Sequence, residues 1–212
     1  NSKYDKARIQ LKLGDILVFT RKFNRALIIF SKIQTQLKNH ELAQQARFKV
    51  AQTSYFKGDF TWAKAQLKVL KSATTQLIAN DALELFLLIS DNEPLDSIPS
   101  GLKEYATADL LAFQNKNEEA ISVLSSILKD ESLKRLNGGF LPITNNVLFK
   151  KAKLQIKQAK YDEAILNFAK IVANDSQGFL TDDVYYEMAE LYKNHLNNVE
   201  KASEYYQKII FE

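Results

Sequence analysis

Two histidines, His40 and His195, and a few adjacent carboxylates are the residues of this chain whose types could do chemistry. A metal centre or a nucleophilic triad needs histidines converging with carboxylates at set spacings, and neither histidine lies in an H-E-x-x-H pattern. The pairs Glu118-Glu119 and Asp182-Asp183 would point about 100 degrees apart on a helix. They suit first-turn charges at the positive end of a helix dipole better than acid–base work on one substrate. The 212 residues contain no cysteine, which removes disulfides and thiolate chemistry. No G-x-x-x-x-G-K-S/T or G-x-G-x-x-G run is present to cradle a phosphate. No catalytic residue, cofactor or metal is expected, and the chain reads as a non-enzyme.

The elements that would position any site are helical. Glycine (6) and proline (3) are scarce, and 46% of the residues are hydrophobic, so there is a large core to bury and little punctuation for sheets. Apolar residues recur at i, i+3, i+4 and i+7 over 5–20, 23–36, 41–57, 60–73, 80–90, 102–115, 117–129, 145–159, 161–173, 181–194 and 198–211. This predicts an all-α chain of about eleven helices. Asn80 and Asp81, and Thr181, Asp182 and Asp183, offer N-cap oxygens before the fifth and tenth helices. Irregular connections are expected at 91–101, with Pro94, Pro99 and Gly101, and at 130–145, with Gly138, Gly139 and Pro142. No run of 18 apolar residues and no signal peptide is present. The chain lacks an initial methionine and stops in mid-pattern at YYQKIIFE, so it is expected to be a fragment of a longer chain.

The helices fall into pairs. YFKGDFTWAKAQLKVL, residues 55–70, sets the register: FTWAKAQL with Ala63 aligns with FNRALIIF (Ala26), NEEAISVL (Ala120), YDEAILNF (Ala164) and VEKASEYY (Ala202). Three residues earlier stand Phe23, Phe60, Asn117, Tyr161 and Val199, and four later Phe30, Leu67, Leu124, Phe168 and Tyr206. Upstream lie the small residues Gly14, Ala51, Ala106, Ala152 and Ala189 of a preceding helix. Two helices approach to about 8–10 Å only across small residues, so the spacing is a packing code, with Gly58 and Asp59 as the turn. Trp62 is then a packing residue rather than a ligand platform. The pattern resembles the tetratricopeptide repeat family, whose signature is about 34 residues, although the spacings between alanines here are 37, 57, 44 and 38. The repeats fall near 7–39, 44–76, 101–132, 145–176 and 182–212, with an extra helix near 80–90. In style the resemblance is closest to bacterial envelope-associated members. It implies one solenoid domain, a right-handed superhelix, and a periplasmic or envelope location, with the cytoplasm left open.

In such a superhelix the first helix of each pair lines a concave groove. Its fifth positions would be Leu11, Phe48, Tyr105, Phe149 and Tyr186, and its ninth Asp15, Gln52, Asp109, Lys153 and Glu190. A mostly aromatic row beside a polar row suits a partner peptide; the alternative is that these aromatics pack against the neighbouring repeat. The family's carboxylate-gripping set of lysine and asparagine is not matched here. Residues 1–76 carry 15 Lys+Arg against 4 Asp+Glu, and residues 77–212 carry 14 against 21. The lysines are dispersed, Arg21, Lys22 and Arg25 forming the one tight basic group, so nucleic acid is not an expected partner. The sequence points to an interaction scaffold for another protein. Alternatively, it is an envelope assembly or regulatory component whose specific activity lies outside this segment. Apolar residues wrap more than one side of the first and last helices, which adds an expectation of further helices or self-association there.

Overall fold

The computed structural model describes residues 2–70, 76–93, 100–130 and 143–211. Pro94, Pro99, Gly138, Gly139 and Pro142, with Lys71 and the ends of the second and third repeats, lie outside them. Among the described residues the fold is all-helical. The helices are α1 (Lys3–Phe19), α2 (Phe23–Gln36), α3 (Glu41–Lys57), α4 (Phe60–Leu70), α5 (Gln76–Asp91), α6 (Leu102–Phe113), α7 (Asn117–Lys129), α8 (Ile143–Lys157), α9 (Tyr161–Asn174), α10 (Thr181–Asn194) and α11 (Val199–Phe211). They group into two compact units, Asn1–Lys116 and Asn117–Glu212.

Each second helix, α2, α4, α7, α9 and α11, begins on the residue three before its alanine. The turn before it has one geometry in the first four hairpins and a left-handed residue at the same place in all five. The residue five before the alanine is left-handed: Arg21 (φ 57°), Gly58 (φ 82°), Asn115 (φ 59°), Ala159 (φ 57°) and Asn197 (φ 49°). The next amide reaches back to an orphan carbonyl, as Lys22 N to Leu17 O (2.7 Å), Asp59 N to Ser54 O, Lys116 N to Leu111 O and Lys160 N to Gln155 O (each 2.9 Å). This is the helix-terminating arrangement that favours glycine, yet only Gly58 supplies one. In the last hairpin Asn198 N reaches Tyr192 O instead, so that turn is one residue longer.

The alanines Ala26, Ala63, Ala120, Ala164 and Ala202 are all buried, as are Phe30, Leu67, Leu124 and Phe168 one turn on. Twelve residues upstream of the first four stand Gly14, Ala51, Ala108 and Ala152, and thirteen upstream of Ala202 stands Ala189, all buried. In the third pair the small residue at that spacing is therefore Ala108. The close approach is explicit at Gly14, where a Cβ would lie 2.2 Å from Phe30 Cε1. The N-terminal unit's core gathers Ala7, Leu11, Val18, Ala26, Phe30, Ile33 and Val50, and the C-terminal unit's gathers Leu148, Ala164, Phe168, Ile171, Val184 and Met188.

Two capping expectations are corrected. α5 starts at Gln76, which places Asn80 and Asp81 inside the helix rather than at its cap. Thr181 is the first residue of α10, and its hydroxyl donates to Asp175 O at 3.0 Å instead of capping the helix. The carboxylates Glu118, Glu119, Asp182 and Asp183 do sit in first turns. No helix is long and apolar enough to cross a membrane among the described residues.

Candidate partner-binding face

Both histidines have structural surroundings. His40 caps α3, its Nδ1 accepting from Leu42 N at 3.1 Å, and its ring stacks on Tyr4 at 4.5 Å. His195 ends α10 and stacks on Tyr161 at 4.7 Å. No group of three or more histidines and carboxylates converges among the described residues.

In the N-terminal unit the first helices are α1, α3 and α6. Leu11 is buried in the core, and Tyr105, with 7% of its surface exposed, is buried too. Tyr105 lies close enough to Asp109 and to Glu84 of α5 for both to add to the upward push that burial gives its hydroxyl. Phe48 and Gln52 are half-buried. The ninth positions tie helices together: Asp15 pairs with Lys49 of α3 at 3.0 Å, and Asp109 accepts from Tyr55 Oη at 2.8 Å. Burial first, then Asp109 and Tyr105, raise the Tyr55 hydroxyl well above its usual range, which keeps it a donor. Between α1 and α3 opens a cleft of about 600 Å³, bordered by Arg8, Ile9, Lys12, Asp15, Glu41 and Lys49. Arg21, Lys22 and Arg25 gather with Lys57 around the α1–α2 turn, where Lys57 Nζ donates to Asn24 Oδ1 at 3.2 Å.

In the C-terminal unit the first helices are α8 and α10. Phe149 packs its half-buried ring on Phe168 at 5.7 Å, against the core. Lys153 pairs with Glu187 of α10, one residue beyond the fifth position, as Lys49 stands one beyond Phe48. Tyr186 differs from its counterparts: 52% of its surface is exposed, with the Tyr206 ring edge-on at 6.3 Å. Glu190 accepts from Tyr206 Oη and from Asn194 Nδ2, and these bonds, the tyrosine's first, hold its carboxyl below the ordinary value. The same bond pushes the Tyr206 hydroxyl up to about 12. Asp183 is shifted the other way, by burial first and then by Asp182 and Glu187. Lys153, already paired with Glu187, partly offsets these like charges.

Of the ten groove positions read from the sequence, the structure thus turns Leu11 and Tyr105 inward and packs Phe149 on the core. It occupies Asp15, Asp109, Lys153 and Glu190 as ties between helices and leaves Tyr186 as the open aromatic. Leu11 and Asp15, two of those positions, border the α1–α3 cleft, and Ile9, which is not one of them, borders it too because it falls off the Ala7, Leu11, Gly14, Val18 stripe that the core uses.

No curated protein matches the chain. The segments 146–177 and 183–210, which hold the α8–α9 and α10–α11 hairpins, match the model of the tetratricopeptide repeat family.

Proposed function

We propose that the chain is a non-enzymatic scaffold that holds a peptide or protein segment on the faces of its first helices. On this reading the five hairpins are one repeat array along the chain, and the α8–α10 face recognises a segment carrying lysine or arginine. The observation that supports it most is Tyr186, half-exposed at a fifth position beside Asp183, Glu187 and Glu190 on α10. Its ring is braced by Tyr206, whose hydroxyl is itself held by Glu190. An exposed aromatic face flanked by carboxylates attracts a cationic side chain by both its ring and its charge. It also provides the rigid, amphipathic contact that dominates many interfaces.

The test is selection from a displayed random-peptide library by the chain, with the recovered peptides then titrated against variants. The proposal expects peptides enriched in lysine or arginine, weakened by Tyr186→Ala and by Glu190→Gln, and unaffected by Lys68→Ala on α4. Peptides without basic residues, or binding indifferent to Tyr186, would remove the proposal.

A further inference from the structure

The face of α1 turned away from its own unit's core is apolar. Ile9, Leu13 and Ile16 are between 47 and 69% exposed and follow one another at steps of four and three residues, while Phe19, three further on, packs its ring on Phe113 of α6 at 6.4 Å. Such a stripe runs along one side of a helix. It is distinct from the buried stripe of Ala7, Leu11, Gly14 and Val18. Both carboxylates of α1 are engaged, Asp5 by Arg8 at 3.2 Å and Asp15 by Lys49 at 3.0 Å. The charges it presents outward are cationic, Lys6 and Lys12, with Arg21 and Lys22 just past its end.

α11 has the opposite character. Val199, Ile210 and Phe211 are between 71 and 80% exposed. Its two lysines lie over tyrosine rings, Lys201 over Tyr192 at 5.0 Å and Lys208 over Tyr185 at 5.2 Å. The charges near its start are therefore dominated by Glu200 and Glu204.

We propose that this chain associates head to tail, the α1 face of one copy docking on the α11 face of a second copy. Within each unit the fold repeatedly lays a second helix against the first helix of the next hairpin: α2 against α3, α7 against α8 and α9 against α10. α11 on α1 of another copy is the same step taken between molecules. Successive helices run antiparallel, so this step sets Ile9 against Ile210 and Phe211, and Arg21 and Lys22 against Glu200 and Glu204. Charge decides against the symmetric alternative, because an antiparallel α1–α1 pair brings Lys12 near its own copy. An interface of one helix on one helix is small, below about 1,200 Å² in total, and so gives weak, concentration-dependent association. A heterologous contact of this kind extends into open oligomers unless it closes.

The experiment is sedimentation equilibrium of the 212-residue chain over a wide concentration range, with Ile16→Glu on the α1 face and Ile210→Lys on the α11 face. Both positions are exposed, and circular dichroism checks that the variants keep their helices. The wild-type mass is expected to climb with concentration past the dimer and to fall back in high salt. Each variant alone is expected to remain monomeric, while an equimolar mixture gives a dimer and nothing larger, because one intact pair of faces survives. Lys12→Glu mixed with Glu200→Lys is a milder pair carrying the same logic. A wild-type chain that stays monomeric overturns the proposal. So does a mixture of the two variants that stays monomeric. Association abolished by Ile16→Glu but untouched by Ile210→Lys overturns it in favour of α1–α1 pairing.

Discussion

Lys49 Nζ lies 3.0 Å from Asp15 Oδ1, joining the ninth position of the first hairpin to the residue after the fifth position of the second. Lys153 and Glu187 occupy the same two positions in the fourth and fifth hairpins with the charges exchanged. The polar row of the first helices thus aligns neighbouring hairpins, and its signs can be swapped without loss of geometry. Partly exposed pairs of this kind contribute up to about 1 kcal/mol. Lys49→Asp alone should lower the urea midpoint, and Asp15→Lys combined with it should restore most of the loss. A double variant no better than the sum of the singles would deny the pair its aligning role.

The close approach of α1 and α2 makes Gly14 irreplaceable while Phe30 is present. Gly14→Ala places a methyl against a ring that is itself fully buried, and Ala63→Leu overfills the equivalent crossing of α3 and α4. Each should cost about 1–3 kcal/mol in chemical denaturation. Phe30→Leu should recover part of the Gly14→Ala loss, and an unchanged midpoint for either single variant would contradict the packing code.

The left-handed turn residues predict gains as well as losses. Ala159 and Arg21 hold positive φ with a Cβ, which costs about 1–2 kcal/mol relative to glycine before glycine's greater chain entropy is subtracted. Ala159→Gly and Arg21→Gly should therefore raise the unfolding free energy by up to about 1 kcal/mol, and Gly58→Ala should lower it by a similar amount. Thermal melts of the three variants read this directly, and a loss of stability in both glycine variants would refute the turn assignment.

The alanines, the Gly58-Asp59 turn and, to within one residue, the starts of the second helices are legible in the sequence because each is set by local geometry, whereas the left-handed Arg21, Asn115, Ala159 and Asn197 carry no glycine to mark them. What covers a given groove position is set by distant chain and was not legible. Tyr105 and Tyr186 occupy the same repeat position and read alike. The helix inserted as α5 brings Glu84 up to Tyr105, whereas Tyr186 keeps half of its surface exposed. The start of α5 is not legible either, because Asn80 and Asp81 resemble caps although the helix is already under way from Gln76.

Stability at high pH should depend on Tyr206. Its hydroxyl titrates at about 12 in the folded chain against an ordinary value of 10.0, so between those limits the folded state holds more protons than the unfolded state. Stability from this bond is complete below pH 10.0 and is lost as pH rises toward 12. Glu190 acts at the other end, its depressed pKa giving stability that is lost as pH falls through the folded value. Thermal melts of Tyr206→Phe and the wild type should diverge least at high pH. A difference that is constant across the alkaline range would contradict the hydrogen bond.

The scaffold reading stands most directly on Tyr186. The deciding measurement is fluorescence anisotropy of a library-selected basic peptide with the wild type, Tyr186→Ala and Tyr105→Phe. Removing a central aromatic anchor costs about 2 kcal/mol. Tyr186→Ala should accordingly weaken binding roughly 30-fold with the melting temperature little changed, while Tyr105→Phe should leave binding intact. Undiminished affinity in Tyr186→Ala would show that the α10 face is not where the partner is held.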